Sequence, residues 1–287
     1  MPDTSWKPLT AAQEDIFYAH EIDPANPNQN IAEYLVLRGN LRIPLLERAV
    51  RRTLAETESS RLVFRHDDAG PRQSVLPVSE FRLPVIDVRG ETDPLRSALR
   101  WMRADMRRPV DLRRGPLFSL AVLRTAAEES VLHLRAHHIA TDHSGYRMWL
   151  HRVAEVYTAL DLGHAVPSAP VVPLDAILAD DAAYRAGERC REDRDFWADR
   201  LARAPEVTTL TGRSAPASAS AHHRTGLVPA DTLRSLRALA RTSGVALPAL
   251  LVAATGVYVH RMAGTGNPVL GLGVAARRGS TVREAIT

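Results

Sequence analysis

The chain has 287 residues, of which 45% are hydrophobic and 24% are charged, a composition typical of globular proteins and not of disordered or fibrous chains. No run reaches the ~18 consecutive apolar residues of a membrane span, and the one cysteine, Cys190, excludes an internal disulfide framework and a multi-cysteine zinc site. A formal net charge of +4 is compatible with a nucleic-acid-binding protein. However, the basic residues are interspersed with 33 acidic residues and aromatic residues are only 5%, so we expect no nucleic-acid partner.

The first residues lack the basic-then-apolar order of a secretion signal, so we expect a cytoplasmic protein with no membrane partner. Thr10 is placed to cap a helix that opens at residues 9–13. The hydrophobic period then alternates between the values typical of strands and helices. It predicts, in order, a strand at 34–38, a helix at 43–57, a strand at 61–65 with a turn at 67–70, a helix at 93–106, strands at 117–123 and 131–137, and a helix at 145–160.

The composition changes after residue 163, where Pro167, Pro170 and Pro173 mark a linker. Beyond it the pattern predicts a charged helix at 175–201, a Ser/Ala-rich loop at 214–221, helices at 231–241 and 248–262, and a strand at 268–274. We therefore expect an α+β chain with one complete lobe, 1–170, and the opening part of a second, 171–287. The last strand needs neighbours for its backbone groups, so either the first lobe supplies them or the chain is cut short.

The strand at 131–138 carries the strongest candidate for chemistry. Its residues alternate, so Leu132, Leu134, Ala136 and His138 share the face that points into the core. A short loop and a helix follow, which places the His138 imidazole at a strand end where a rigid scaffold can present it to a cleft. Burial lowers the pKa of an imidazole and leaves it neutral, so that it can take a proton from an ammonium or hydroxyl nucleophile.

Three other interpretations of this segment stay open. His138 can be a core histidine bonded to backbone, and Asp142 can be an ordinary helix N-cap. The group His137, His138, Asp142 and His143 can also ligate a metal, although adjacent strand residues point to opposite faces. The pair His222-His223 has no following aspartate and is expected at the surface. We find no Gly-x-Ser-x-Gly elbow and no phosphate loop, so direct attack of one substrate on another fits better than a covalent nucleophile of the protein.

Residues 137–142, His-His-Ile-Ala-Thr-Asp, resemble the His-His-x-x-x-Asp-Gly signature of condensation domains from nonribosomal peptide synthetases. Other segments are similar to further motifs of this family in the same order: residues 9–13, 58–64, 109–118, 152–157, 181–184 with 196–197, and 274–277. The resemblance extends over nearly the whole chain.

The resemblance implies a chloramphenicol-acetyltransferase-like fold and an amide-forming reaction. Donor and acceptor carrier proteins would each bring a thioester on a phosphopantetheine arm to a tunnel between two lobes, with an adenylation domain downstream and with no cofactor or metal bound by the domain itself. By the same resemblance His138 is the catalytic base or positions the amine, and His137 is structural. Asp142 would stabilise the loop through an ion pair with an arginine such as Arg277.

Two departures from the family pattern affect these expectations. His143 replaces the signature glycine; if the backbone there requires positive φ, a histidine costs about 1 kcal/mol, and Gly145 partly restores flexibility. Family members also continue beyond the Arg277 region with segments that this chain lacks. We therefore expect a C-terminally truncated domain with weak or no condensation activity on its own. We also expect a donor that arrives from a separate protein or is an acyl or aryl starter.

Two other functions remain as alternatives. One is a superfamily acyltransferase that moves an acyl group from coenzyme A or a carrier to a hydroxyl or amine. The other is a module that docks carriers without catalysing a reaction.

Overall fold

A computed structural model describes residues 5–169, 171–204, 209–211, 218 and 224–273. The chain divides into two compact units after Gly187, and the second unit begins at Glu188. All strands of the described chain lie in the first unit, together with the candidate site, whereas the described part of the second unit contains helices only.

The first unit combines seven strands and five α-helices within its described residues. The strands are β1 (Lys7–Pro8), β2 (Asn30–Arg38), β3 (Leu62–Asp67), β4 (Gly70–Val75), β5 (Val85–Asp87), β6 (Phe118–Ala126) and β7 (Glu129–His137). The helices are α1 (Ala11–Ile22), α2 (Ile43–Glu56), α3 (Pro94–Met106), α4 (His143–Asp161) and α5 (Leu174–Ala186). Each element predicted between residues 34 and 160 is present with slightly shifted ends, while the short strands β1, β4 and β5 were not predicted.

The strands form two sheets. The smaller is antiparallel with the order β1-β4-β3, and the larger has the order β2-β7-β6-β5. In the larger sheet β7 pairs antiparallel with β2 and with β6, and only β5 runs parallel to its neighbour. β7 is thus an interior strand, and its C-terminal end is bordered by the first residue of β2, since Asn30 lies opposite His137.

Helices cover both faces of β6 and β7. On one face Leu120, Leu134 and Trp149 belong to a core cluster shared by both sheets, α1, α2 and α4. On the other face Ala98 and Met102 of α3 pack with a smaller cluster from β6 and β7. Because apolar and polar residues of β7 alternate but both faces are covered, polar side chains on the α3 side are also buried.

Local signals account for several boundaries. Thr10 and Gln13 form the capping box at the start of α1, because the Thr10 side chain accepts from Gln13 N and the Gln13 side chain accepts from Thr10 N. Gly70, the first residue of β4 after the turn from β3, has a φ of 99°, a conformation that glycine adopts without steric cost.

The predicted lobe boundary at residue 170 precedes α5 in the chain, whereas the compact units separate after Gly187. Helix α5 belongs to the first unit because its residues bond to the N-terminal region. Asp181 accepts from the backbone amide of Ala11 at 3.2 Å, and Lys7 pairs with Asp175 at 2.5 Å. The charged helical stretch predicted at 175–201 is two helices, since α5 ends at Ala186 and a second helix begins at Glu188.

The second unit contains α6 (Glu188–Ala202), α7 (Ala230–Thr242) and α8 (Leu247–Ala263). The strand predicted at 268–274 is wrong for residues 268–273, which form no strand because no described strand of this unit is available to pair with them. The loop predicted at 214–221 lies outside the described residues, except for Ser218. In the part of the chain that the structure describes, no single helix is long and apolar enough to cross a membrane; α7 and α8 meet the length and composition criteria only together, and they are bent by 101°.

Candidate active site

The site predicted from sequence lies where β7 ends and α4 begins. The strand stops at His137, residues 138–140 form a turn, and α4 starts at His143. Two histidines that are adjacent in sequence consequently have different surroundings.

The predicted burial of His138 is wrong, because this residue lies in the turn after β7 and is exposed. Its backbone amide donates a 2.8 Å hydrogen bond to the carbonyl of Gln29, which anchors the turn to the residue before β2. The alternative of a core histidine is excluded by the same exposure. The ring is therefore within reach of an external molecule while its backbone is held by the sheet.

His137, in contrast, is buried with only 2% of its surface exposed. Its Nδ1 accepts a 3.2 Å hydrogen bond from the backbone amide of Ile139, which closes the turn. The loss of solvation on burial, reinforced by the nearby positive charges of His20, His138 and Arg135 when protonated, lowers the pKa of His137 to about 3. A neutral, enclosed imidazole agrees with the structural role predicted for His137.

The turn is also bonded to the start of α1 through a pair of glutamines. Gln13 donates to Gln73 at 2.9 Å and Gln73 donates back at 2.8 Å, so the two amides pair reciprocally. Gln73 also donates to the carbonyl of Pro8 at 2.9 Å, and Gln13 lies 3.5 Å from the carbonyl of Ile139. Sequence reasoning placed Gln13 in a motif but missed Gln73, for which the sequence carries no signal.

Asp142 is the N-cap of α4, as one of the alternatives predicts. Its Oδ1 accepts a 2.7 Å hydrogen bond from the backbone amide of Gly145, a buried residue in the first turn. Arg277, the predicted ion-pair partner of Asp142, lies outside the described residues, as do His222 and His223.

The condition under which His143 would strain the backbone, a positive φ, is not met. No described residue other than glycine has positive φ, and His143 is the first residue of α4. Its side chain is 72% exposed, with Nδ1 3.5 Å from a carboxylate oxygen of Glu33. The helix starts one residue after Asp142, so ordinary helical geometry suits a histidine at this position.

Tyr146 fixes the first turn of α4 against the sheet. Its hydroxyl donates to the carbonyl of Leu134 at 2.6 Å and accepts from the amide of Glu33 at 3.0 Å, which joins α4 to β7 and β2. Burial raises the pKa of this phenol, so it stays a neutral donor. The loop between β7 and α4 is thus anchored by hydrogen bonds at both ends, through the amide of His138 and the hydroxyl of Tyr146.

Behind the site, a buried ionic cluster joins α3 to β7. Oδ2 of Asp105 lies 3.0 Å from Nε2 of His133 and 3.0 Å from Nε of Arg135. Burial acts to raise the pKa of Asp105, but the hydrogen bond from His133 and the charge of Arg135 outweigh it and hold the pKa below its usual range. We did not identify Asp105 from sequence, although a carboxylate on the apolar face of α3, in line with Ala98 and Met102, is a signal for a buried partner.

Among the described residues, no group of three or more His, Cys, Asp or Glu side chains is arranged to hold a metal ion. The arrangement instead presents one exposed imidazole on a turn fixed by His137, the glutamine pair and the α4 cap. Such a group can exchange a proton with a bound molecule or orient it.

Comparison with known proteins supports the resemblance found in the sequence. The family model described as "Condensation domain" matches residues 5–286. A dimodular nonribosomal peptide synthase of Bacillus subtilis (strain 168) is 40% identical over 98% of this chain and 12% of that protein. An isonitrile lipopeptide synthase of Streptomyces coeruleorubidus is 38% identical over 96% of this chain and 19% of that protein. The chain thus spans less than a fifth of the length of either relative.

Solved structures give the same result and confirm the α+β, chloramphenicol-acetyltransferase-like fold predicted from the resemblance. The first condensation domain of the calcium-dependent antibiotic synthetase, in complex with a substrate analogue, matches with a TM-score of 0.89 and 30% identity over 98% of this chain and 67% of that one. The starter condensation domain of rhizomide synthetase, in complex with C8-CoA, matches with a TM-score of 0.88 and 33% identity over 98% of this chain and 64% of that one.

Proposed function

Because the chain belongs to the condensation-domain family, we propose that it carries the histidine-bearing lobe of a domain that forms amide bonds in nonribosomal peptide synthesis. The substrates arrive as thioesters on the phosphopantetheine arms of a donor and an acceptor carrier protein. The acceptor amine attacks the donor carbonyl, so that a C–N bond forms and the C–S bond breaks. The nitrogen loses a proton to a base, and the departing sulfur takes up a proton.

His138 is the residue proposed for this proton transfer or for orienting the amine. The observation that carries the proposal is the exposure of its ring beside the buried His137, on a turn held by the Gln29 carbonyl. A general base has to reach the reacting nitrogen, and the fixed backbone limits the positions of the ring. Holding amine and thioester together lowers the barrier further.

Asp142 and His137 act as positioning residues in this scheme. Asp142 caps α4, and the buried ring of His137 closes the turn through Ile139. The ion pair of Asp142 with Arg277 remains a proposal, as do the carrier proteins and a neighbouring adenylation domain as partners and the cytoplasm as location.

The proposal is tested by replacing His138 with alanine in the full-length protein and following the amide product by mass spectrometry. We expect the rate to fall by about 10²–10⁴-fold, the usual contribution of a positioned acid–base group. The matched control is His143→Ala, an exposed histidine five positions away, which should retain the rate within a few-fold. An unchanged rate in His138→Ala together with intact carrier binding would instead support the docking module.

A second candidate function is acyl transfer from coenzyme A. It is supported by the likeness to the rhizomide starter domain, which was crystallised with C8-CoA. Competition between octanoyl-CoA and an octanoyl carrier protein for one acceptor amine separates the two. Equal use of both donors would favour the coenzyme A reaction, and preference for the carrier would favour peptide synthesis.

A further inference from the structure

Helix α3 carries a row of arginines along its exposed side. Arg96, Arg100 and Arg103 are all exposed, as is Arg107 immediately after the last helical residue. The spacings of four, three and four residues place these side chains one above another on a single helical face. The opposite face packs through Ala98, Met102 and Asp105 on β6 and β7, so the row points away from the sheet.

None of these four side chains forms an ion pair within the described chain; the only partner of Arg100 is the hydroxyl of Ser97 at 2.8 Å. On three other helices an arginine pairs with a carboxylate three or four residues away: Arg51 with Glu47 on α2, Arg185 with Asp181 on α5, and Arg191 with Glu188 on α6. The exposed arginines of α7 form no such pair among the described residues, so the α3 row is distinguished by its position next to the candidate site. Like charges at these spacings destabilise a helix. A row of arginines without carboxylate partners therefore does not stabilise the fold, and an external anionic surface would neutralise its charge.

The row ends close to the candidate site. The side-chain amide of Asn30 donates to the carbonyls of Met106 and Arg108 at 3.0 and 2.8 Å, which joins the C-terminal end of α3 to the first residue of β2. Asn30 is paired with His137, and the preceding residue, Gln29, accepts from the amide of His138. The C-terminal end of α3 thus lies at the same end of the sheet as the exposed imidazole.

From this charge pattern and position we propose that the exposed face of α3 is a docking surface for an acidic helix of the carrier protein that serves His138. The inference rests on the proposed function and names the surface that receives its macromolecular partner. Acidic residues spaced three and four apart on the partner helix would meet the row of guanidinium groups. A protein helix is favoured over nucleic acid because the one aromatic residue of α3, Trp101, packs edge-on against His133 and is not available to stack on bases.

The test measures binding of peptidyl carrier proteins whose phosphopantetheine arm bears a fluorophore, by anisotropy at low and at physiological salt. We expect R96E/R100E/R103E in the full chain to weaken binding by about tenfold or more, with a smaller difference at higher salt. The matched control is R234E/R237E/R241E on α7, which reverses three exposed arginines at similar spacing and changes the net charge equally. It should bind within about threefold of the parent chain.

R96Q/R100Q/R103Q removes the charge without reversing it and guards against misfolding, because it relieves repulsion within α3; it should also weaken binding. Equal effects of the α3 and α7 variants, failure of the parent chain to bind any carrier, or tighter binding of a short DNA duplex than of the carrier would overturn the inference. His138→Ala should bind carriers normally. Loss of the docking surface is therefore distinguishable from failure of the proposed function, which is tested by product formation in His138→Ala.

Discussion

The imidazole rings of His20 and His137 meet edge to face, with centroids 5.2 Å apart and an interplanar angle of 77°. Both residues are buried, and burial is the main cause of the lowered pKa of each ring. Since two protonated imidazoles at this separation would repel each other, the contact adds to the effect of burial and disfavours protonation of both rings. It joins α1 to the strand end that presents His138.

This contact predicts that the protein loses stability in mild acid. The pKa of His137 is about 3 in the folded chain and about 6.5 when unfolded. At pH values between these two, the unfolded chain binds the proton and the folded chain does not. Lowering the pH therefore lowers the free energy of unfolding, by up to about 1.4 kcal/mol per pH unit. His137→Gln removes this contribution. Urea titrations at about pH 7 and pH 4.5 give the loss of unfolding free energy between the two pH values, and this loss should be smaller by about 2–3 kcal/mol in the variant. An equal loss in the two proteins would contradict the prediction.

The Asp105 cluster predicts a large effect on stability. Asp105→Asn leaves Arg135 buried with reduced compensation, and we expect a loss of about 3–5 kcal/mol, the usual effect of breaking a buried ion pair. Asp87→Asn is the control, because Asp87 pairs with Arg89 at the surface, where solvent screens the pair and its contribution to stability is small. Chemical denaturation measures the free energy of unfolding of both variants. A similar loss in both would show that the buried cluster contributes no more to stability than the surface pair.

The reciprocal glutamine pair predicts non-additive substitutions. Gln13→Leu leaves the Gln73 amide, which is fully buried, with fewer partners, and should cost about 1–3 kcal/mol of stability. Gln13→Leu/Gln73→Leu should cost less than the sum of the single substitutions, because neither amide is then left without the other. A double-mutant cycle of unfolding free energies measures this coupling, and strict additivity would mean that the pair does not act as a unit.

His143 is predicted to tolerate substitution. Since its backbone is helical and its side chain is mostly exposed, His143→Gly relieves no strain. Glycine in the first turn of α4 should lower stability by about 1 kcal/mol or less. Thermal unfolding of the variant checks this, with His143→Ala as control for loss of the side chain; a clear gain in stability with glycine alone would reveal strain at this position.

The sequence was sufficient for the elements whose signals are local. The Thr10 cap, the amphipathic helix α2 and the strand β7 were predicted from neighbours in the chain, and all three elements are confirmed, although both faces of β7 are buried and not only the apolar one. The family was recognisable because the histidine signature is contiguous. The short strands β1 and β5 were missed, since their stability comes from pairing with distant segments and not from their own pattern. β4 was missed although it forms a hairpin with the preceding strand β3, because its sequence lacks the alternation of apolar and polar residues.

The amino-acid sequence by itself determined which residues are the candidates for the chemistry, because the two histidines and the capping aspartate lie within six positions of one another. Only the tertiary structure decided which histidine is enclosed and which is accessible: β7 stops at His137, so the alternation that predicts burial of His138 no longer applies. It also decided that the second face of β7 is covered by α3, which encloses His133 and Arg135 around Asp105. Burial and charge pairing depend on contacts between distant segments, and these are created when the chain folds.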